Sequence, residues 1–260
     1  MQDSRQQIIH NFSLHAEHYD QHAHVQKYAA ARLCSYVKEL KITPNSTILE
    51  IGCGTGFVSE QLIGMFPDCT YIITDISPGM LKQCRDNLVK KEMDLESVYF
   101  QVLDGETIKS FERYDLIVSG LTVQWFDDFP SWLRQGIATL RTGSTIALSY
   151  LSGRSFPEWK DSCRQTGIPY SGNALPDHDL LKKISANRDV RCLWESEFKT
   201  LGYDSLLHFF SELKRIGASC RMPSQGKCPS VSGLRELNHF HSNGKGCEVS
   251  HHLVYGIITV

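Results

Sequence analysis

The chain has 260 residues, 41% of them hydrophobic, with 27 Lys and Arg set against 29 Asp and Glu for a net charge of −2. That length and apolar content suffice for a sizeable core in one domain, or in one domain and a lid. The balance of charge leaves no global field to hold a polyanion and argues against nucleic acid as a ligand; no stretch approaches the roughly 18 apolar residues of a membrane span.

The opening, MQDSRQQIIHNF, lacks the apolar core of a secretory leader, so the chain is expected in the cytosol. From Arg5 to about Lys41 the period is helical, with Val25, Ala29, Leu33 and Val37 recurring every fourth residue. His15, His18 and His22 fall on one face of this segment. They can bind a metal, but with no carboxylate partner they read as a partly exposed polar face, and no metal site is assigned.

The period then changes. STILEIG (46–52), TYIITDI (70–76), VYFQVLD (98–104), YDLIVSGL (114–121) and TIALSYL (145–151) are short β-branched or aromatic runs bounded by turn residues. Stretches of helical length separate them, and in SPGMLKQCRDNL Ser77 is placed to cap a helix with Pro78 at its first position. This alternation predicts an α/β fold with a doubly wound, Rossmann-like, mostly parallel sheet, its ligand at the carboxyl ends of the strands. After about residue 152 the rhythm breaks. A turn-rich stretch and the amphipathic DSLLHFFSELKRIGASC form a helical lid, and EFKTLGYD and HHLVYGIITV supply two more strands, the last antiparallel. The expected divisions are an N-terminal helical segment (1–41), a ligand-binding core (42–152), lid helices with the sixth strand (153–245) and a C-terminal strand completing the sheet (246–260). Nine cysteines, an odd number with no C-x-x-C pair, read as reduced structural thiols.

Most of the chemistry lies in LEIGCGTGF (49–57). A dinucleotide fold requires G-x-G-x-x-G, and counting from Gly52 and Gly54 the last position is Phe57, which weakens a nicotinamide or flavin reading. What remains is G-x-G-x-G ending at Gly56, with Glu50 two residues before it and Asp75 at the end of the next strand. An acidic residue there can accept hydrogen bonds from both ribose hydroxyls, and it repels a 2′-phosphate. A ligand with ribose, no pyrophosphate and a positive end near Glu50 describes S-adenosylmethionine. Asp104, in LDGE at the third strand's end, can accept from the exocyclic amine of adenine. Cys53, inside the loop, supplies backbone rather than thiol chemistry.

ILEIGCGTGF, TDISPGML, LDGE and YDLIVSGLTVQWFDD resemble the successive motifs of class I S-adenosylmethionine-dependent methyltransferases. FSLHAEHYDQHAHVQ (12–26), VQWFDD, GRSFPEW, ELKRIGA and YGIIT narrow the resemblance, from about residue 12 to the C-terminus, to the malonyl-[acyl-carrier protein] O-methyltransferase family of biotin synthesis. The sequence departs from that pattern in two places. The turn before the fifth strand reads TGS (142–144) instead of Pro-Gly-Gly, keeping Gly143, and 221–247 matches poorly.

The resemblance implies transfer of a methyl group from S-adenosylmethionine to the free carboxylate of malonyl-acyl carrier protein, or malonyl-CoA, leaving S-adenosylhomocysteine. It implies that the N-terminal segment folds over the donor, with Tyr19 closing the site and Gln26 nearby. Glu50, Gly52, Cys53, Gly54, Gly56 and Asp75 would hold the donor together with Ile76, Met80, Asp104, Gly105, Ser119 and Gly120. Tyr19, Gln124 and Trp125 would stand at the reacting centre. A carboxylate is already ionised at neutral pH, so alignment and exclusion of water are needed and a general base is not. It must still be held, and Arg offers a planar fork to two oxygens. The candidates are Arg215 and Lys214 in the lid and Arg154 after the fifth strand, with His252 behind them. Each is as readily read as a solvated surface group, and Arg154 can instead meet the carrier. An acidic carrier protein calls for a local basic patch, for which Lys182, Lys183, Lys214, Arg215 and Arg221 are available. Two other functions stay open: methylation of another small acceptor, such as a dicarboxylic acid or quinone precursor, and a non-catalytic S-adenosylmethionine-binding protein.

Overall fold

The computed structural model describes residues 2–186, 190–219, 229–242 and 246–260. Its centre is one sheet built from β1 (Thr47–Ile51), β2 (Thr70–Asp75), β3 (Val98–Val102), β4 (Leu116–Gly120), β5 (Thr145–Leu151), β6 (Arg191–Tyr203) and β7 (Cys247–Thr259). The order across the sheet is β3-β2-β1-β4-β5-β7-β6. The first five strands pair in parallel, and β7 runs antiparallel between β5 and β6. The chain reverses its winding between β1 and β4, which is where a doubly wound sheet opens a crevice for a ligand.

The five early runs sit where their β-branched residues place them. EFKTLGYD is the second half of a longer strand: β6 begins at Arg191, and every residue from there to Tyr203 is paired with β7. Its first half was illegible because β6 is an edge strand, exposed at Arg191, Cys192, Leu193, Glu195 and Ser196, so neither face imposes an apolar alternation.

The helices are α1 (Gln2–His15), α2 (Tyr19–His22), α3 (His24–Val37), α4 (Phe57–Met65), α5 (Pro78–Lys90), α6 (Phe129–Thr139), α7 (Pro157–Thr166), α8 (His178–Ser185), α9 (Leu206–Arg215) and α10 (Val231–Ser242). The N-terminal segment is three helices rather than one, interrupted by a 3-10 turn at Ala16–His18 and by non-helical Ala23. The α5 start is as expected: Ser77 Oγ accepts from Met80 N at 3.2 Å, with Pro78 at the first position.

Alternation along the strands divides the core. On one face Leu33 and Val37 of α3, Leu62 of α4 and Leu88 of α5 pack with Ile48, Ile73 and Ala147. On the other, Trp132 and Leu133 of α6 pack with Phe111, Leu49, Ile146 and Leu148. Successive β5 residues thus fall in opposite clusters, the period of two that a sheet covered on both faces requires. A third cluster, Phe156, Trp159, Phe209, Leu237 and Val249, holds the lid helices α7, α9 and α10 against β7. In the TGS turn the retained glycine is required by backbone alone: Gly143 has φ +89° with open space where a Cβ would stand.

The fully buried Tyr71 ties a strand to a helix end. Its hydroxyl proton is shared by the carbonyls of Leu62 (2.7 Å) and Phe66 (2.8 Å), which close α4. Tyr71→Phe leaves each carbonyl only its backbone donor, Phe66 N for Leu62 (2.9 Å) and Cys69 N for Phe66 (3.2 Å), and is expected to cost about 0.5–1.5 kcal/mol in urea denaturation with an unchanged m-value; no measurable loss would show that the tie carries no stability.

Candidate active site

A cavity of about 300 Å³ opens beyond the carboxyl ends of β1, β2 and β4. The glycine loop forms its floor, Ile8, Phe12 and Tyr19 of the N-terminal segment cover it, and Leu213 and Ile216 of the lid close one side. All three loop glycines have positive φ, +69° at Gly52, +55° at Gly54 and +100° at Gly56. Their surroundings differ. A Cβ on Gly52 would lie 2.2 Å from Thr122 Oγ1 and one on Gly56 3.0 Å from Cys84 Sγ, whereas beside Gly54 nothing stands within 4 Å. The first and third glycines let the loop pack on its neighbours; the middle one leaves the cavity side bare. Gly56 also starts α4.

Two carboxylates are buried at this floor. Asp75 accepts from Gly54 N through Oδ2 (2.9 Å) and from Ser77 N through Oδ1 (2.8 Å), and burial raises its pKa to about 6. Glu50, 2% exposed, accepts from Ser59 Oγ at 2.6 Å; burial, with Asp75 adding its charge, raises it to about 7. A cationic ligand beside them would draw both toward the ionised form. Burial also holds the Cys53 thiol well above its ordinary value, so it is inert at neutral pH.

Asp104 reaches the cavity already partnered, its Oδ1 accepting from Arg5 Nη1 (2.9 Å) and Glu106 N (3.1 Å). The same guanidinium meets Glu106 and Asp127. Tyr19 is buried with its ring 6.4 Å from that of Phe57, and burial pushes its phenol up so that it stays neutral. Gln26, Ile76, Met80, Gly105 and Gly120 line the cavity. Ser119 does not: its Oγ donates to Ile51 O at 3.1 Å and ties β4 to β1, because alternation along the strand turns it away from the rim.

Gln124 and Trp125 occupy a 3-10 turn after β4, and Trp125 meets Phe12 edge to face at 5.6 Å. Both belong to the shared wall of a second, largely apolar chamber of about 330 Å³, lined further by Phe156, Trp159, Leu175 and Phe210. The buried Gln124 Oε1 has no hydrogen-bond partner. A buried acceptor without a donor, set where two chambers meet, marks a place for a ligand's donor or a water.

The groups expected to grip a carboxylate do not line either chamber. Arg215 is exposed and pairs with the cavity-lining Glu212 at 2.6 Å, and Lys214 is exposed beside it. Their neighbours Leu213 and Ile216 take the inner face that the helical period allots. Arg154 is exposed over the Phe198 ring. His252, on β7, is hydrogen-bonded through Nδ1 to Ser152 Oγ at 2.6 Å away from the cavity, and alternation along the strand gives the cavity His251 instead. Burial lowers both imidazoles to about 4, so both are neutral. Arg221 lies outside the described residues. His15 bonds the Asn11 carbonyl and His22 the Glu212 carboxylate, and no group of metal-binding side chains gathers among the described residues.

Sequence reasoning passed over Arg5, Phe12, Glu212, Leu121 and Phe156, all of which line the cavity. Leu121 (φ +50°) and Phe156 (φ +61°) adopt left-handed backbone just after β4 and β5. Such strain in non-glycine residues clusters at functional sites, but only a glycine would have announced it in sequence.

Comparison with known proteins decides the family. The Methyltransferase domain family matches residues 42–201. A malonyl-[acyl-carrier protein] O-methyltransferase from Magnetococcus marinus is 31% identical over 94% of this chain and 89% of its own length. The chain belongs to the malonyl-[acyl-carrier protein] O-methyltransferase family. A second such protein, from Ilyobacter polytropus, is 28% identical over 98% of this chain and 97% of its own. Among solved structures, the YcgJ protein from Bacillus subtilis superposes with a TM-score of 0.62 at 12% identity, covering 88% of this chain and 98% of that one. Magnesium protoporphyrin IX methyltransferase from Synechocystis, with bound S-adenosylhomocysteine, does so at 0.53 and 10% identity, covering 90% and 83%. Those two likenesses establish the class I methyltransferase fold, and the family makes the protein an S-adenosylmethionine-dependent methyltransferase. No helix among the described residues is long and apolar enough to cross a membrane.

The two buried carboxylates set a pH test. In the unfolded chain Asp and Glu ionise near pH 4, whereas the folded protein keeps these protons up to about 6 and 7. Between those limits the native state binds more protons than the unfolded state, so this contribution to stability falls as pH rises, and the full cost of the buried charges is present above about 7. Glu50→Gln removes one of them. The variant's thermal midpoint relative to the parent is expected to climb from pH 5 to pH 8 without ligand; a constant difference would mean that Glu50 is ionised throughout.

Proposed function

We propose that the enzyme transfers the methyl group of S-adenosylmethionine to the free carboxylate of malonyl-acyl carrier protein or malonyl-CoA, forming a methyl ester early in pimeloyl and biotin synthesis. The observation that carries this reading is the pair of chambers meeting at Gln124 and Trp125: one floored by the glycine loop with the buried carboxylates of Glu50 and Asp75, and a largely apolar one beneath the lid. The names of the relatives supply the acceptor.

The residues present fit an adenosyl sulfonium. In this reading Asp75 takes the ribose hydroxyls on the lone pairs its backbone bonds leave free, Asp104 takes the adenine amine beside Arg5, and Glu50 faces the positive end. Gly54 leaves the floor open to the ligand, and Tyr19, Gln26, Ile76, Met80 and Gly105 complete the walls. The donor supplies an electrophilic methyl group, and the rest of the catalysis is placement. Phe12, Trp125, Phe156 and Leu213 exclude water from the junction, and the Trp125 ring offers a π face to a cation. Tyr19 and His251, both neutral, take no proton from a nucleophile that is already ionised.

Exposed Lys182 and Lys183 of α8 and Lys214 and Arg215 of α9 are the cations available to dock an acidic carrier, and that partner places the enzyme in the cytoplasm. The divisions expected from the sequence take on tasks in this reading: 1–41 covers the donor, 42–152 binds it, 153–245 roofs the acceptor and 246–260 completes the sheet.

Mass spectrometry of malonyl-acyl carrier protein incubated with enzyme and donor is expected to show a gain of one methyl group, with none on acetyl-acyl carrier protein, which lacks the free carboxylate. Methylation of both, or of neither while another carboxylic acid or quinone precursor is methylated, would refute the assigned acceptor. Gln124→Leu keeps the volume and removes the amide; kcat is expected to fall about tenfold, as for loss of one aligned hydrogen bond, with donor affinity unchanged by calorimetry.

A further inference from the structure

The glycine loop is held from outside the cavity by a residue of the segment that covers it. Thr55, buried between left-handed Gly54 and Gly56, donates its Oγ1 hydrogen to Asp20 Oδ1 at 2.5 Å. Asn87, on α5, donates through Nδ2 to the Thr55 carbonyl at 3.0 Å and to Asp20 Oδ2 at 3.3 Å. Gln83, one turn earlier on the helix, donates to Asn87 Oδ1 at 2.9 Å and thereby fixes which way that amide faces. Thr55 is thus gripped at its hydroxyl and its carbonyl, and the two grips are joined through one carboxylate.

Asp20 is exposed, so these bonds do not serve to satisfy a buried charge. The residue before it is Tyr19, which lines the cavity, and the residue its carboxylate holds, Thr55, lines the cavity too. A loop whose three glycines have wide backbone freedom is poorly fixed by its own sequence. Asp75 anchors it at Gly54 from below, and Asp20 anchors it one residue later from above.

We propose that Asp20 is a positioning residue for the methyl donor: through Thr55 and Asn87 it sets the conformation of the glycine loop, so that the donor site is complete only when the N-terminal segment is docked. This rests on the reading of the cavity as the S-adenosylmethionine site.

The test is calorimetric titration of S-adenosylhomocysteine into the full chain, with steady-state kinetics alongside. Asp20→Ala and Thr55→Val are each expected to weaken binding about tenfold, as for loss of a charge-assisted hydrogen bond, and the double variant to be no weaker than the poorer single one. Thr55→Ser, which keeps the hydroxyl, should bind within about threefold of the parent chain. The donor KM should rise with the dissociation constant while the acceptor KM, measured at saturating donor, stays within about twofold. Unchanged binding by Asp20→Ala overturns the proposal, as do losses that multiply in the double variant, or donor and acceptor KM rising by the same factor. If the parent chain itself binds no S-adenosylhomocysteine, the reading of the cavity falls and this proposal falls with it.

Discussion

The site depends on one buried carboxylate that serves two loops. Asp75 ends β2 and accepts hydrogen bonds from Gly54 on one side and Ser77 on the other. Those backbone groups begin the turns into α4 and α5, so a single side chain sets the spacing between the glycine loop and the start of the neighbouring helix. Its burial raises its pKa, a cost set by desolvation and lessened by backbone donors. A carboxylate this enclosed, with its remaining lone pairs toward a cavity, is an expense that folding alone does not explain.

Around that anchor the cavity is assembled by parts of the chain remote in sequence. Arg5 bridges to Asp104, Glu106 and Asp127, His22 to Glu212, and Asp20 to Thr55. Apolar contacts run in parallel: Ala16, Tyr19 and Ala23 share a cluster with Met80 of α5 and Ile216 after α9. A Cβ on Gly79 would lie 2.8 Å from Ser13 Cα, and one on Gly217 3.0 Å from the Asn11 carbonyl, so the first helix is seated against both α5 and the lid at glycine contacts. The N-terminal segment is therefore the piece that donor chamber and lid have in common, and moving it would loosen both.

Much of this was legible in the sequence because the physics there is local. Strands with both faces covered need β-branched runs, Ser77-Pro78 states a helix start in two residues, and Gly52, Gly54 and Gly56 are costly anywhere but a loop that bends this way. Asp75 and Asp104 could be placed because parallel strands put their ends at one rim. What could not be read depends on direction. Arg215 against Leu213, His252 against His251 and Ser119 against Gly120 are each a matter of which way neighbouring side chains point, and period alone does not say which face meets a lid whose docking is unknown. Nor does any residue type announce that Leu121 and Phe156 turn left-handed, or that Asp20 lies over Thr55.

The charge arithmetic of the proposed reaction gives these buried groups a common logic. A sulfonium and a carboxylate combine to a thioether and an ester, so two charges disappear. Such a step is favoured by a dry, low-dielectric junction, because separated ions lose hydration on entering it and neutral products lose little. The junction walls fit that demand: Phe12, Trp125, Phe156 and Leu213 are apolar, and Tyr19 and His251 are held neutral by burial. Glu50 would oppose the step if its charge were permanent, since it would favour the cation over the products. Burial holds its pKa up at about 7, so the floor of the site is not committed to a permanent negative charge at neutral pH.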